Sequence, residues 1–197
     1  MTKQQIITKF ELYMDDMSEL STTESEQLFD KVYNKVNSSR PWEGTKAEFS
    51  DTAPITLPDD FLFLTQNYNY TNENEYGSGP VVFVNGDAIP VVNWSDRNRY
   101  TSGVAYLDMR NNMLEFKDSN DGKTVSFDYH ASMPTLLNTE SPWFPAVYHD
   151  VIYHGMCVDE FMIQLTDKAK SYAQEHQKQY DSYLSQLALW NARLIQQ

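Results

Sequence analysis

Ser141-Pro142-Trp143-Phe144-Pro145-Ala146-Val147-Tyr148-His149-Asp150-Val151-Ile152-Tyr153-His154-Gly155-Met156-Cys157-Val158 is the stretch on which the reading of this chain turns. Two prolines bracket an aromatic pair, and beyond Pro145 the sequence stays largely apolar as far as Leu165. Proline is tolerated in the first turn of a helix and breaks its interior. The segment therefore predicts a loop that enters a helix running from about Pro145 to Leu165. A second helix is predicted from about Asp167 to Leu194. In it Tyr172, His176, Tyr180, Tyr183, Leu187, Trp190 and Leu194 recur at steps of three and four, which is one stripe along a helix.

Upstream, Thr124-Val125-Ser126-Phe127-Asp128-Tyr129-His130 alternates as a strand does, and Met133-Pro134-Thr135-Leu136 follows as a loop. Val81 to Val84 and Ala88 to Val92 flank Asn85-Gly86-Asp87, a strong hairpin signal. Pro90 places the return strand at an edge. Val104–Met109 and Met113–Phe116 predict a second hairpin across Arg110-Asn111-Asn112. These strands read as an antiparallel meander with neighbours in chain order. Residues 43–80 are rich in Thr, Asn, Asp, Gly and Pro. Pro58-Asp59-Asp60 there suits a single helical turn, and 65–79 reads as a projecting loop that orders against a partner.

At the N-terminus, Ile6, Ile7, Phe10, Tyr13, Met14 and Met17 predict a helix over 4–17. Thr23-Glu24-Ser25-Glu26 reads as the capping box of a second helix ending near Ser39, because Pro41 disfavours the α conformation at Arg40. The fold class is α+β. A helical hairpin (4–40) and two C-terminal helices (145–195) pack together, with a loop and β insert (43–130) between them, in a single domain over 1–197.

The 28 acidic residues outnumber the 15 basic ones, for a net charge of −13. Gripping nucleic acid or an anionic membrane needs clustered cations, so both are disfavoured. An acidic wall would instead repel DNA and let it slide. No apolar run approaches the roughly 20 residues of a membrane span, and no secretory leader is visible, so the chain reads as soluble and made in a cytoplasm. The single cysteine, Cys157, lies in an apolar helical run and reads as a small buried hydrophobe.

His149-Asp150, with His154, Asp159, Glu160, His130 and Asp167, superficially matches the metal ligands of HD-type phosphohydrolases, the enzymatic alternative. The geometry disfavours it. His149 and His154 stand about 140° apart around a helix, and His130 closes a strand in a fold that would have to be all helical. Asp150 and His154 read instead as an i, i+4 surface pair. No phosphate-cradling glycine loop or nucleophile elbow is present. The chain is read as a non-enzyme with no cofactor and no metal.

Contact surface is the better use of its distinctive residues. Trp, Tyr and Arg dominate interface hot spots, and Val92 to Tyr100 concentrates Trp94, Arg97, Arg99 and Tyr100. The distal end of the last helix adds Leu187, Trp190 and Leu194, an apolar tip expected to overhang its own domain and dock on a partner.

The order of elements resembles that of phage head-to-tail adaptor proteins, which include tail tubular gatekeeper proteins. It runs from the helical hairpin through Trp42, Thr56-Leu57-Pro58 and the meander to two helices. The nearest local likeness is Phe144-Pro145, Tyr148-His149, Ile152 and His154-Gly155-Met156 entering an apolar helix. The resemblance implies a structural virion protein without catalytic residues. It would form a ring of about twelve copies by heterologous contacts, joining the portal protein to tail or head-completion proteins, with DNA passing through its channel. It would reside in the virion and, before assembly, in the host cytoplasm.

Overall fold

The computed structural model describes residues 1–14, 20–65, 79–164 and 166–195. The loop expected at 65–79 therefore falls almost wholly outside the described residues, as do the end of the first predicted helix and Leu165. The chain divides into two compact units, Met1–Gly44 with Met133–Gln197, and Thr45–Ser132.

The first unit is helical. It comprises α1 (Lys3–Met14), α2 (Thr22–Ser38), α3 (Asp150–Ile163) and α4 (Asp167–Ile195), so helices from both ends of the chain share one core, as the apolar periodicity predicts. The central element is α3, which packs against the other three helices. Its buried residues run from Val151 to Phe161 around most of its circumference, as befits a helix covered on nearly every side. Gly155 makes this possible. A Cβ there would stand 2.5 Å from Val32 Cγ1 on α2 and 3.1 Å from a ring carbon of Tyr180 on α4. Trp42 seals the end of α2, fully buried, with its indole N–H donating to the Val36 carbonyl at 2.8 Å.

The capping box exists, two residues earlier than predicted. Ser21, in an extended conformation, is the N-cap of α2. Its hydroxyl accepts from the Glu24 amide at 3.3 Å, and the Glu24 carboxylate accepts from the Ser21 amide at 2.8 Å. Both Ser21-x-x-Glu24 and Thr23-x-x-Glu26 satisfy the motif. The chain uses the first, so that α2 begins at Thr22.

The second unit is a sheet of β1 (Lys46–Thr52), β2 (Ile55–Thr56), β3 (Phe61–Leu64), β4 (Val81–Val84), β5 (Asp87–Val92), β6 (Ala105–Asp108), β7 (Met113–Phe116) and β8 (Thr124–Ala131). The last five match the sequence reading closely. The first three correct it, since 43–64 reads as loop and a helical turn. β3 is a strand because Phe61, Phe63 and Leu64 pair with Ala131, His130 and Tyr129 of β8.

The sheet is not a meander in chain order. It runs β1-β8-β4-β5-β6-β7-β2, with β3 also on β8. β8 is the hub: β1 lines one edge along Thr124 to His130, while β4 and β3 share the other. β5 and β6 pair in parallel, Val91 opposite Ala105 and Val92 opposite Tyr106. A parallel pair needs a crossover of about a dozen residues or more, and 93–104 supplies it. Pro90 is therefore in an interior strand rather than at an edge. It lies just before the β5–β6 register begins, so its missing N–H breaks no ladder bond on that side. The Asn85-Gly86 turn is as read, with both residues at positive φ (50° and 92°), the geometry of a tight hairpin turn.

Candidate functional site

The crossover between β5 and β6 builds the most developed surface feature. Residues 94–96 turn, Arg97–Arg99 form a single 3-10 turn, and the backbone is tied by Asp96 N–H to Asn93 O at 2.9 Å. This brings the Arg97 guanidinium back over Trp94, its carbon 3.7 Å from the ring centroid, while one of its N–H groups donates to the Trp94 carbonyl at 2.6 Å. The Trp94 ring meets Tyr106 of β6 edge-on at 5.4 Å, and the Lys117 ammonium lies 5.8 Å from the Tyr106 ring. Arg99 reaches Asp96 at 3.2 Å with most of its side chain in solvent. Trp94 is 38% exposed, a large aromatic with a cation stacked on it at the surface. Of the four residues singled out in this segment, Trp94 and Arg97 form the stack, Arg99 flanks it, and Tyr100 closes the turn as a half-buried residue. Tyr106 and Lys117 escape the sequence reading because only strand pairing brings them alongside.

The distal end of α4 behaves differently from expectation. Leu187 is fully buried in the helical core. Trp190 is half-buried against Trp143 at 6.1 Å and Tyr148 at 6.3 Å. Asn191 is tied to the segment after α2, accepting from the Glu43 amide at 2.8 Å and donating to the Pro41 carbonyl. The tip thus does not overhang, because its stripe completes the core of its own unit. Surface apolar area remains at Leu189 (63% exposed) and Leu194 (37%).

The histidines fall into separate environments. His149 is buried, its Nε2 2.8 Å from the Phe144 carbonyl and its Nδ1 2.8 Å from the Met1 amine; burial pulls its pKa down. Asp150 forms its ion pair with Lys9 of α1 at 2.7 Å, and its charge also reaches His154, so the i, i+4 relation holds electrostatically but is secondary. His154 faces α4, its Nδ1 2.9 Å from Nδ1 of His176, whose other nitrogen lies 3.1 Å from the Tyr13 hydroxyl. Burial, then the neighbouring His176, lowers the His154 pKa to about 4. Burial also pushes the Cys157 thiol up to about 12. His130 belongs to the sheet unit, where it meets the Thr45 hydroxyl at 3.0 Å. The residues of the HD-like pattern are thus spent on local hydrogen bonds and ion pairs. Among the described residues no group of three or more His, Cys, Asp or Glu side chains is placed to hold a metal ion.

The described residues thus present a helical unit drawn from both chain ends, a sheet unit inserted between them in the chain, and an exposed cation-aromatic stack. The chain belongs to the SU10 adaptor protein family, which matches it over residues 1–196. That membership makes it a phage structural adaptor of the virion, a family that is typically non-enzymatic. Its partners are other phage head or tail proteins. No curated protein matches the chain. No helix among the described residues is long and apolar enough to cross a membrane.

Proposed function

We propose that this adaptor forms a ring that joins the phage portal to the tail, through which DNA passes without sequence-specific contact. The observation that carries the reading is the extent of the family match, which covers both the helical unit and the sheet unit. The whole chain then acts as one adaptor-like domain with 43–130 as its insert. The net charge of −13 suits a channel wall that repels the passing phosphate backbone. Ring closure of about twelve copies needs two different faces per subunit. The Trp94, Arg97, Arg99 and Tyr100 segment serves one contact, and Trp190 with Leu194 at the end of α4 serves another. Before assembly the protein resides in the host cytoplasm. Electron microscopy of purified chain mixed with its portal protein tests the reading. Rings seated on the portal are expected, and portal particles left bare at micromolar adaptor would refute it.

A further inference from the structure

The sheet unit carries a second surface whose chemistry is the counterpart of the Trp94 platform. On the face of β8 opposite Val125 and Phe127, Ser126 and Asp128 alternate outward. Ser126 stands opposite Ser50 of β1 and Phe83 of β4, and Asp128 opposite Glu48 of β1. Two serines side by side leave a low floor, Phe83 forms an aromatic wall, and Glu48 and Asp128 form an acidic one. The result is an open groove of about 490 Å³. Like charges directly opposite across a strand pair destabilise the sheet. Lys46, 3.6 Å from Asp128, relieves this only in part, since both side chains stay substantially in solvent.

We infer that this groove receives the Trp94–Arg97 platform of a second copy of the chain. This rests on the ring-forming reading above and names the surfaces that would carry it. The charge argument is specific. Residues 45–132 hold few cations, and Arg97 and Arg99 are concentrated on the platform while the groove offers two carboxylates. The sizes also agree: one protruding aromatic with a stacked cation meets one groove with an aromatic side and an anionic side. Groove and platform lie on different parts of the sheet, β1-β8-β4 and the β5–β6 crossover. A contact between them is heterologous and propagates from copy to copy.

The test is sedimentation of purified full-length chain over a concentration series. R97E/R99E reverses the platform charge, and E48K reverses that of the groove's Glu48. Each is expected to weaken self-association at least about tenfold with the fold retained in thermal unfolding, and E48K, which sets a cation opposite Asp128, should raise the unfolding midpoint slightly. E48K discriminates sharply, because lowering the net charge of so acidic a protein would otherwise promote association. Mixing the two variants sets the wild-type platform of one against the wild-type groove of the other and the reversed platform against the reversed groove, so association stronger than that of either variant alone is expected to return. S126W, which fills the groove without changing charge, should weaken association too. Wild-type chain that stays monomeric, or variants that self-associate like it, would overturn the pairing. Incorporation of the same variants into phage particles reports separately on the adaptor role. Variants that self-associate normally and still enter particles would sink the pairing and leave that role standing.

Discussion

The Nδ1 atoms of His154 and His176 lie 2.9 Å apart across the α3–α4 interface, so one ring must donate and the other accept. The pair accommodates two neutral rings, or one neutral and one charged ring, but not two imidazolium ions. Lys9, whose ammonium lies 4.4 Å from the centroid of the adjoining Tyr153 ring, adds positive charge on the α1 side. Asp150 and Glu175 only partly oppose these effects.

Acid should therefore loosen the helical unit earlier than carboxylate titration alone would. His154 is held at about 4 in the folded chain, below its ordinary 6.5, and His149 and His176 are also shifted down, all chiefly by burial. Between those values the unfolded chain binds protons that the folded one refuses. The contribution is complete above about pH 6.5 and is lost as pH falls towards 4. Urea midpoints measured from pH 7.5 to 4.5 are expected to decline. His154→Gln should flatten the slope between pH 6.5 and 5, and an unchanged slope would contradict the assignment.

Gly155 should tolerate no side chain. Gly155→Ala favours the helix by propensity, worth roughly 1 kcal/mol, but drives a methyl group into Val32 and against Tyr180. Overpacking costs about 1–3 kcal/mol, so net destabilisation is expected. Gly155→Ala combined with Val32→Ala should recover part of the loss. A single variant more stable than wild type would show that α2 and α4 yield easily.

Two leucines of α4 should separate core from surface. Leu187→Ala removes a fully buried side chain and is expected to cost about 2–5 kcal/mol in chemical denaturation. Leu194→Gln, at a residue 37% exposed, should change stability by no more than about 0.5 kcal/mol. Assembly with portal should weaken for Leu194→Gln, and equal destabilisation by both changes would undo the distinction.

Cys157 should be chemically silent in the native protein. The thiol is fully buried and held near 12, so thiolate is scarce at neutral pH. Labelling by an aromatic disulfide reagent should be slow without denaturant and immediate in strong urea. Rapid native labelling would mean that α3 opens readily.

The helical half of the fold was legible because its signals are local. Pro145 marks the approach to α3, Pro41 stops α2, and the stripe from Tyr172 to Leu194 spans α4. The sheet was legible strand by strand from β4 to β8, where apolar runs and Asn85-Gly86 stand out. β1 was not. Of Lys46 to Thr52 only Ala47 and Phe49 are apolar and turned inward, because one face of the strand is left in water. For the candidate sites, Trp94 and Arg97 could be picked by residue type. The groove at Glu48, Phe83, Ser126 and Asp128 had no signal, since it draws on three strands far apart in the chain.

The sequence by itself determined the α+β class, the helices at both ends, most strands and the kinship to head-to-tail adaptors. The class, helices and strands depend on periodicity and turn chemistry, which act over a few residues, while the kinship rested on resemblance in the order of elements. Tertiary structure alone decided the order β1-β8-β4-β5-β6-β7-β2, the parallel β5–β6 pair and the use of Leu187 in the core. It also decided that the ring of His154 meets that of His176, and that Asp150 takes Lys9 as its ion-pair partner. Each of these depends on which surfaces find each other once the chain is compact, and alternation or stripe tells only that a face will be buried, not by what.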